Sequence, residues 1–377
     1  MAGGDRVTVL TPHAEDVRSS WDDGGVEVVS FRYAPERWEV LGYSRSLDKD
    51  EKIRFGAGAV TPLYAWRARA AVGRMLARRR FDLLHAHWVV PNALVAKPHA
   101  RRVPLAVGLH GSDVFMAEKP GVRWLTASAL ARATLLTGCS PELVDRVCAL
   151  GFPAERSRVI PYGVDTETFA PGRDRDGAAA WRAKLGVPES ATMMLSVGRM
   201  VTKKGYHVLV EILPELLRRH PDAHVVLGGT GDRLEEFRQR TAEVSDRVHF
   251  PGLLLRDTLP DLYRAADVFV LPAVHDPKGN VDGLPNVILE AMASGLPVVA
   301  SGISGIPLAV DSGGNGTLVP EQDPAALLEA LDRMLSDPEG TRRMGRAARD
   351  KAVAELTWTA IAGRYRAAYH EALESAR

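Results

Sequence analysis

Short apolar runs alternate with amphipathic stretches along almost the whole of this 377-residue chain. Residues 7–10, 26–31, 81–84, 105–109 and 135–137 predict a first series of strands. Residues 193–197, 224–227, 248–250, 268–271 and 297–300 predict a second. Several of these runs hold four or five apolar residues with no polar alternation, which suits parallel strands covered on both faces. Between them the period changes. Over residues 206–220, Val208, Leu209, Ile212, Leu216 and Leu217 recur on one helical face. The pattern therefore predicts two α/β domains, each built on a parallel sheet. Residues 161–171 lead into a polar stretch rich in glycine and charge, 172–177, which marks the boundary. The expected division is an N-terminal domain over 1–172, a linker over 173–190 and a second domain over 191–357. After it, Trp358, Ile361, Tyr365 and Tyr369 line one face of a closing helix, 358–377.

Composition narrows the class without naming a partner. Apolar residues make up 46% and charged residues 25%, the balance of a soluble globular enzyme with room for two ordinary cores. A formal net charge of +1 gives no general argument for nucleic acid. Charge is nevertheless uneven: residues 54–102, from Arg54 to Arg102, hold ten basic side chains against one acid, Asp82. Such a run reads either as a solvated helix face or, with Trp66, as a surface that docks on an anionic membrane. Cys139 and Cys148 have neither metal nor redox spacing and point to a reducing compartment. No signal peptide is evident, and no apolar run approaches the roughly 20 residues of a membrane helix. The expected location is cytoplasmic, in solution or peripheral at the inner face of the membrane.

Chemistry concentrates where the second series of strands ends. In Asp282-Gly283-Leu284-Pro285-Asn286-Val-Ile-Leu-Glu290, a turn runs into a helix with one carboxylate before it and one inside it. Unpaired backbone N–H groups at a helix start make an anion site, and Pro285 near the first helical position suits its missing N–H. At ~1.5 Å per residue Glu290 lies about a turn and a half into the helix. There it can accept hydrogen bonds from both hydroxyls of a ribose, or simply sit on the helix surface. Asp282 can contact sugar hydroxyls or cap the helix. The strand at 193–197 delivers Arg199-Met-Val-Thr-Lys203-Lys204-Gly205 to its carboxyl end, where open α/β sheets bind ligands. Arg199 and Lys204 can both reach a diphosphate from such a loop, with Lys203 facing solvent; a solvated basic loop is the other reading. Gly228-Gly-Thr-Gly231 is not a dinucleotide fingerprint, and no P-loop is present. His110, ending a strand in His110-Gly111-Ser112-Asp113, can hydrogen-bond a sugar hydroxyl as a neutral imidazole or serve structure alone. His85 and His87 lack a third ligand for a metal, and under the resemblance drawn below they would wall an acceptor pocket. The pairs Asp48/Asp50 and Asp174/Asp176 lie in polar segments, not after buried strands, so no metal site is expected from them.

Taken together, Arg199-x4-Lys204-Gly205, Asp282-x7-Glu290 and His110-Gly-x-Asp113 resemble the linked motifs of a known family. These are the retaining glycosyltransferases of family 4 (glycosyl transferases group 1), whose GT-B fold has two facing Rossmann-like domains. The resemblance covers nearly the whole chain from Arg6 onward. It implies an α/β fold of two Rossmann-like parallel-sheet domains facing a cleft, with the closing helix crossing back to the first. It also implies a metal-independent, retaining enzyme of hexosyltransferase type, which needs no cofactor. The sugar would pass from a nucleotide-sugar donor to a saccharide or lipid-linked acceptor, with no nucleic acid involved. Arg199, Lys204 and the turn Gly283, Leu284, Pro285, Asn286 would hold the donor's diphosphate, Glu290 its ribose, and backbone after Gly252 its base. His110 and Asp282 would face the transferred sugar. Where the family usually has Glu at the first acidic position this chain has Asp282, which weakens a nucleophile's role for it. Residues 1–12 resemble the end of the family's first helix and its second strand. An opening strand–glycine turn–helix unit of about 30 residues is therefore expected to be missing, as a start codon placed too far downstream would produce. The basic stretch adds an expectation of cell-surface polysaccharide or glycolipid synthesis. Two other readings stay open: a nucleotide-sugar epimerase on the same fold, and a truncated, non-catalytic paralogue.

Overall fold

A computed structural model describes residues 4–14, 17–39, 41, 47–49, 52–53, 57–172 and 176–375. Residues 1–3 of the opening segment, Asp50, Arg54, Asp174 and residues 173–175 of the expected linker lie outside the described residues.

The first half holds β1 (Thr8–Pro12), β2 (Ser20–Asp23) and β3 (Val26–Phe31), with β1 parallel and β2 antiparallel to β3. A short antiparallel hairpin follows, β4 (Leu47–Lys49) and β5 (Lys52–Ile53). Then comes a four-stranded parallel sheet in chain order: β6 (Leu84–His87), β7 (Leu105–Leu109), β8 (Leu135–Gly138) and β9 (Ser157–Val159). Among the described residues this sheet and the β1–β3–β2 sheet share no ladder. The helix Ala57–Arg78 packs on the smaller one, burying Tyr64, Ala68 and Ala71 with Phe31, Tyr33 and Val95.

The second half is one six-stranded parallel sheet: β10 (Thr192–Val197), β11 (Ala223–Gly228), β12 (Val248–Gly252), β13 (Val268–Leu271), β14 (Val298–Ser301) and β15 (Gly316–Val319). Their order is β12-β11-β10-β13-β14-β15, so the chain winds outward one way from β10 and then returns to wind the other way. Both faces are covered, as the unbroken apolar runs require. Met193, Leu195 and Val197 enter a core with Ile288 and Met292, while Met194 enters another with Leu209, Leu213 and Leu327. The first of these cores continues through Leu109 and Leu136 of the four-stranded sheet and Leu143 of the helix Pro141–Cys148, so apolar packing runs on between the two halves.

Most expected strands stand within two residues of their sequence positions. One does not: β6 begins at Leu84, where the expected run at 81–84 ends. Its register pairs Leu84 with Leu105 and His87 with Gly108, while Leu83 packs instead toward the closing helix. Both His85 and His87 therefore lie on the strand itself. β2, the β4–β5 hairpin, β9 and β15 had no counterpart in the apolar pattern, because short edge strands such as Ser157-Arg158-Val159 need no apolar run.

The closing helix, Trp358–Ser375, packs on the first sheet. It buries Ile361, Ala368 and Ala372 against Ala106, Leu135 and Ile160, and Val164 N donates to Leu356 O at 2.8 Å just before it. Ile361→Ala should cost about 2–5 kcal/mol through lost burial and the cavity left behind. A lowered midpoint in denaturant unfolding followed at the first half's signals checks this; an unchanged midpoint would mean the helix contributes nothing to that core.

Candidate functional site

β10 and β13 are neighbours although two strands separate them in sequence, so their carboxyl ends flank the point where the winding reverses. Open α/β sheets bind ligands in the crevice at such a point. The loop leaving β10 is held by its backbone: Gly198 N donates to Gly228 O at 3.0 Å and Met200 N to Thr230 O at 2.9 Å. The glycine-rich turn after β11 thus shapes the loop that carries Arg199, which is exposed. A single 3-10 turn, Thr202–Lys204, then meets Gly205 at φ 71°, where a Cβ would lie 1.6 Å from the Pro272 carbonyl oxygen. Only glycine fits there, and the helix Tyr206–Arg219 starts at the next residue.

From that turn two ammonium groups reach one carboxylate. Lys204 Nζ lies 2.7 Å from Asp282 Oδ2 and Lys203 Nζ lies 3.0 Å from Oδ1. Lys203 does not face solvent, as the sequence suggested; it is buried, because Val274 N donates to its carbonyl at 3.0 Å and draws the turn against the chain leaving β13. Burial alone would raise the Asp282 pKa, but Lys204 and then Lys203 hold it well below the usual carboxylate range. Asp282 does not cap the following helix either. Pro285 is the residue at the cap, and the helix itself is Asn286–Ala293. Glu290, half-buried on this helix, accepts a hydrogen bond from Tyr263 Oη at 2.8 Å. Burial raises its pKa against the pull of Tyr263, Arg256 and Lys204.

His110 stands across the cleft at the end of β7, its N–H and that of Gly111 donating to Asp113 Oδ1, each at 2.9 Å. Both its ring nitrogens are engaged: Nδ1 lies 2.7 Å from Tyr162 Oη and Nε2 lies 2.9 Å from His87 Nδ1. His85 stacks on His87 with ring centres 4.2 Å apart and bonds through Nδ1 to Tyr369 Oη at 2.6 Å. Burial lowers the pKa of all three rings, that of His87 to about 4 with repulsion from His110 adding to it. The array is neutral at ordinary pH. Among the described residues no three His, Cys, Asp or Glu side chains are grouped to hold a metal ion.

The two halves touch at the acidic motif. Gly111 faces Val281 O and Gly283 N, and a Cβ on Gly283 would lie 2.3 Å from the Cys139 sulfur. Ser304 Oγ donates to Ser140 Oγ at 3.1 Å. The structure thus gathers Lys204, Asp282, Glu290 and the turn of Gly283, Leu284, Pro285 and Asn286 at one place, with Arg199 on the same loop and His110-Gly111 opposite. Sequence reasoning gave no role to Tyr263, Tyr162 or Lys203. Nothing in the spacing of Tyr263 or Tyr162 signals the hydroxyl's partner.

A charged bridge lies beside this contact. His275 Nε2 is 2.9 Å from Glu142 of the first half, and its Nδ1 is 3.0 Å from Glu321 of the second. Arg146 pairs with Glu118 and donates to Gly279 O at 3.0 Å. A neutral imidazole has one N–H and cannot donate to both carboxylates, so the bridge is complete only in the imidazolium. Burial disfavours that charge, but the bonds to Glu142 and Glu321 outweigh it and raise the pKa. The bridge's stabilisation is therefore full below the ordinary histidine value of about 6.5 and is lost as pH rises through the raised one. The melting-temperature difference between the protein and its His275→Gln variant should be larger at about pH 5.5 than at about pH 9. Equal differences would mean that the bridge carries no charge.

Comparison with known proteins agrees with this geometry over both halves. Residues 2–168 match the family model described as Glycosyltransferase Family 4, and residues 178–351 the one described as Glycosyl transferases group 1. The chain is 30% identical, over 98% of its length, to a D-inositol 3-phosphate glycosyltransferase of Corynebacterium efficiens, of which it spans 91%. It is 29% identical, over 88% of its length, to a GDP-mannose-dependent monoacylated alpha-(1-6)-phosphatidylinositol monomannoside mannosyltransferase of Corynebacterium glutamicum, spanning 86% of it. Among solved structures, sucrose-phosphate synthase from Thermosynechococcus elongatus superposes with a TM-score of 0.77 at 24% identity, covering 100% of this chain and 91% of that one. That likeness shows a shared fold, two Rossmann-like parallel-sheet domains of GT-B type.

Proposed function

The chain belongs to the family 4 glycosyltransferases, and we propose that it moves a glycosyl unit from a nucleotide sugar to an acceptor hydroxyl with retention of configuration. One observation supports this above the rest. Lys204, Asp282, Glu290 and the 283–286 turn converge at the switch point between β10 and β13, with His110 set against them. In this reading Arg199, Lys204 and the backbone N–H groups of the turn take the donor's diphosphate. They stabilise the charge that grows on it as the sugar departs. Glu290 keeps one oxygen on Tyr263 and offers the other to the ribose hydroxyls. Asp282, ionised, and His110, neutral, face the transferred sugar. The acceptor hydroxyl attacks from the face the diphosphate leaves, and its proton passes to the departing phosphate oxygen. Asp282 is a poor candidate for a covalent nucleophile, since two ammonium groups already hold its oxygens. No obligatory metal enters this mechanism.

The same reading divides the chain into an acceptor-side domain, 1–172 completed by 358–377, and a donor domain, 191–357, joined by 173–190. For the donor, the GDP-mannose dependence named for the Corynebacterium glutamicum relative makes a guanosine nucleotide the first to try. For the acceptor, that relative's phosphatidylinositol mannoside supports a lipid-linked saccharide, in glycolipid or cell-surface polysaccharide synthesis. No helix among the described residues is long and apolar enough to cross a membrane. Exposed Arg67, Arg74 and Arg78 recur on one side of the helix Ala57–Arg78, beside Trp66, which is 61% exposed, and suit an anionic bilayer met from the cytoplasmic side.

Calorimetric titration with UDP, GDP and ADP tests the donor site. One nucleotide should bind with a dissociation constant on the order of micromolar, and Arg199→Ala and Glu290→Ala should each weaken it at least about tenfold. Folded protein that binds none of the three, or binds equally well in both variants, would overturn the assignment. In vesicle flotation the protein should prefer anionic to neutral lipid, and less so at high salt. Equal recovery on both would remove the membrane from the proposal.

A further inference from the structure

We propose that Lys203 is the positioning residue that frees Lys204 for the donor: it keeps hold of the Asp282 carboxylate when the Lys204 ammonium turns to the diphosphate. This rests on the reading of Lys204 and Asp282 given above.

One ammonium is enough to neutralise one carboxylate. Here two are spent on Asp282, one on each oxygen, in a place where all three side chains are largely out of solvent. A second buried charge is costly unless it has a partner of its own. Among the described residues neither lysine is ion-paired with another acid. The trio therefore carries one positive charge in excess, beside a loop that also carries Arg199. That surplus suits a ligand anion.

The two lysines are not equivalent. Lys203 is the deeper, and its carbonyl accepts from Val274 N, which ties it to the segment that continues into Asp282. Lys204 lies with its stem against the end of β10: a Cβ on Gly198 would stand 3.5 Å from Lys204 Cε, one residue before Arg199. So the Lys203 carbonyl is tied to the segment that carries Asp282, while the Lys204 side chain lies against the base of the Arg199 loop. When a diphosphate arrives between Arg199 and Lys204, Lys204 exchanges one anion for another while Lys203 goes on balancing Asp282. Without Lys203 the carboxylate has a single cation. It then competes with the diphosphate for Lys204 and repels it.

Lys203→Met tests this, with binding of the nucleoside diphosphate (UDP, GDP or ADP, whichever the titration selects) as the readout. Affinity should fall about tenfold, and Lys203→Arg should restore it. Removing the competing charge should also restore it, so Lys203→Met/Asp282→Asn should bind more tightly than Lys203→Met alone. The charged groups that face Asp282 are Lys204 and Lys203, so losing Lys203 should raise the pH at which Asp282 takes a proton, and nucleotide binding by Lys203→Met should recover as the pH falls through it. A merely structural lysine would lower the melting temperature without being rescued by Asp282→Asn and without recovering at acid pH. Should Lys203→Met not fold, Lys203→Gln carries the same test. Lys204→Met separates the two claims. If it leaves affinity intact, the diphosphate reading itself fails. If it abolishes binding while Lys203→Met changes neither affinity nor pH profile, the reading stands and the role of Lys203 is overturned.

Discussion

One carboxylate held between two ammonium groups ties the second half's side of the cleft together. Lys203 and Lys204 leave the sheet after β10, Asp282 after β13, and the two strands lie side by side. A buried charge must be balanced where it sits, and breaking such a pair by removing one partner costs about 3–5 kcal/mol. The pairing thus sets how the loop with Arg199 and the turn leading to Glu290 lie against each other. It also explains why Asp282 is free of the helix it precedes: its oxygens are engaged elsewhere, and Pro285 takes the cap position.

The first domain meets this arrangement with neutral groups. Three imidazoles, linked by hydrogen bonds and stacking to each other and to Tyr162 and Tyr369, bring no charge to the face opposite the lysines. Tyr369 comes from the closing helix and Tyr162 from the stretch that leads toward the second half. The posture of His110 therefore depends on segments at both crossings between the halves. Charge returns at the rim, where Glu142, His275 and Glu321 bridge the cleft and Arg146 reaches Gly279.

Much of this is legible in the sequence. The unbroken apolar runs specified parallel strands with two covered faces, because a strand buried on both sides has no polar position to alternate with. The motif spacings placed Arg199, Lys204, Asp282 and Glu290 around strand ends and a helix start, since rise and period are local properties of the backbone. Edge strands were harder. Ser157-Arg158-Val159 and Ser20-Trp-Asp-Asp23 carry no apolar run and are defined by the neighbour they pair with. The misplacement of β6 has the same cause, since pairing with β7 decides which of residues 81–87 form the ladder.

The sequence by itself determined the two α/β units, the loop and turn chemistry at their strand ends, and the order of the motifs. These follow from hydrophobic period and local geometry. Only the tertiary structure decided that Lys203 turns inward to Asp282, that Tyr263 reaches Glu290, that His110 has both ring nitrogens engaged, and that His275 joins the two halves. Each depends on groups far apart in the chain, 27 residues for Tyr263 and Glu290 and 133 for His275 and Glu142. Their partnership comes from how sheets and helices pack, and no local pattern of residues encodes it.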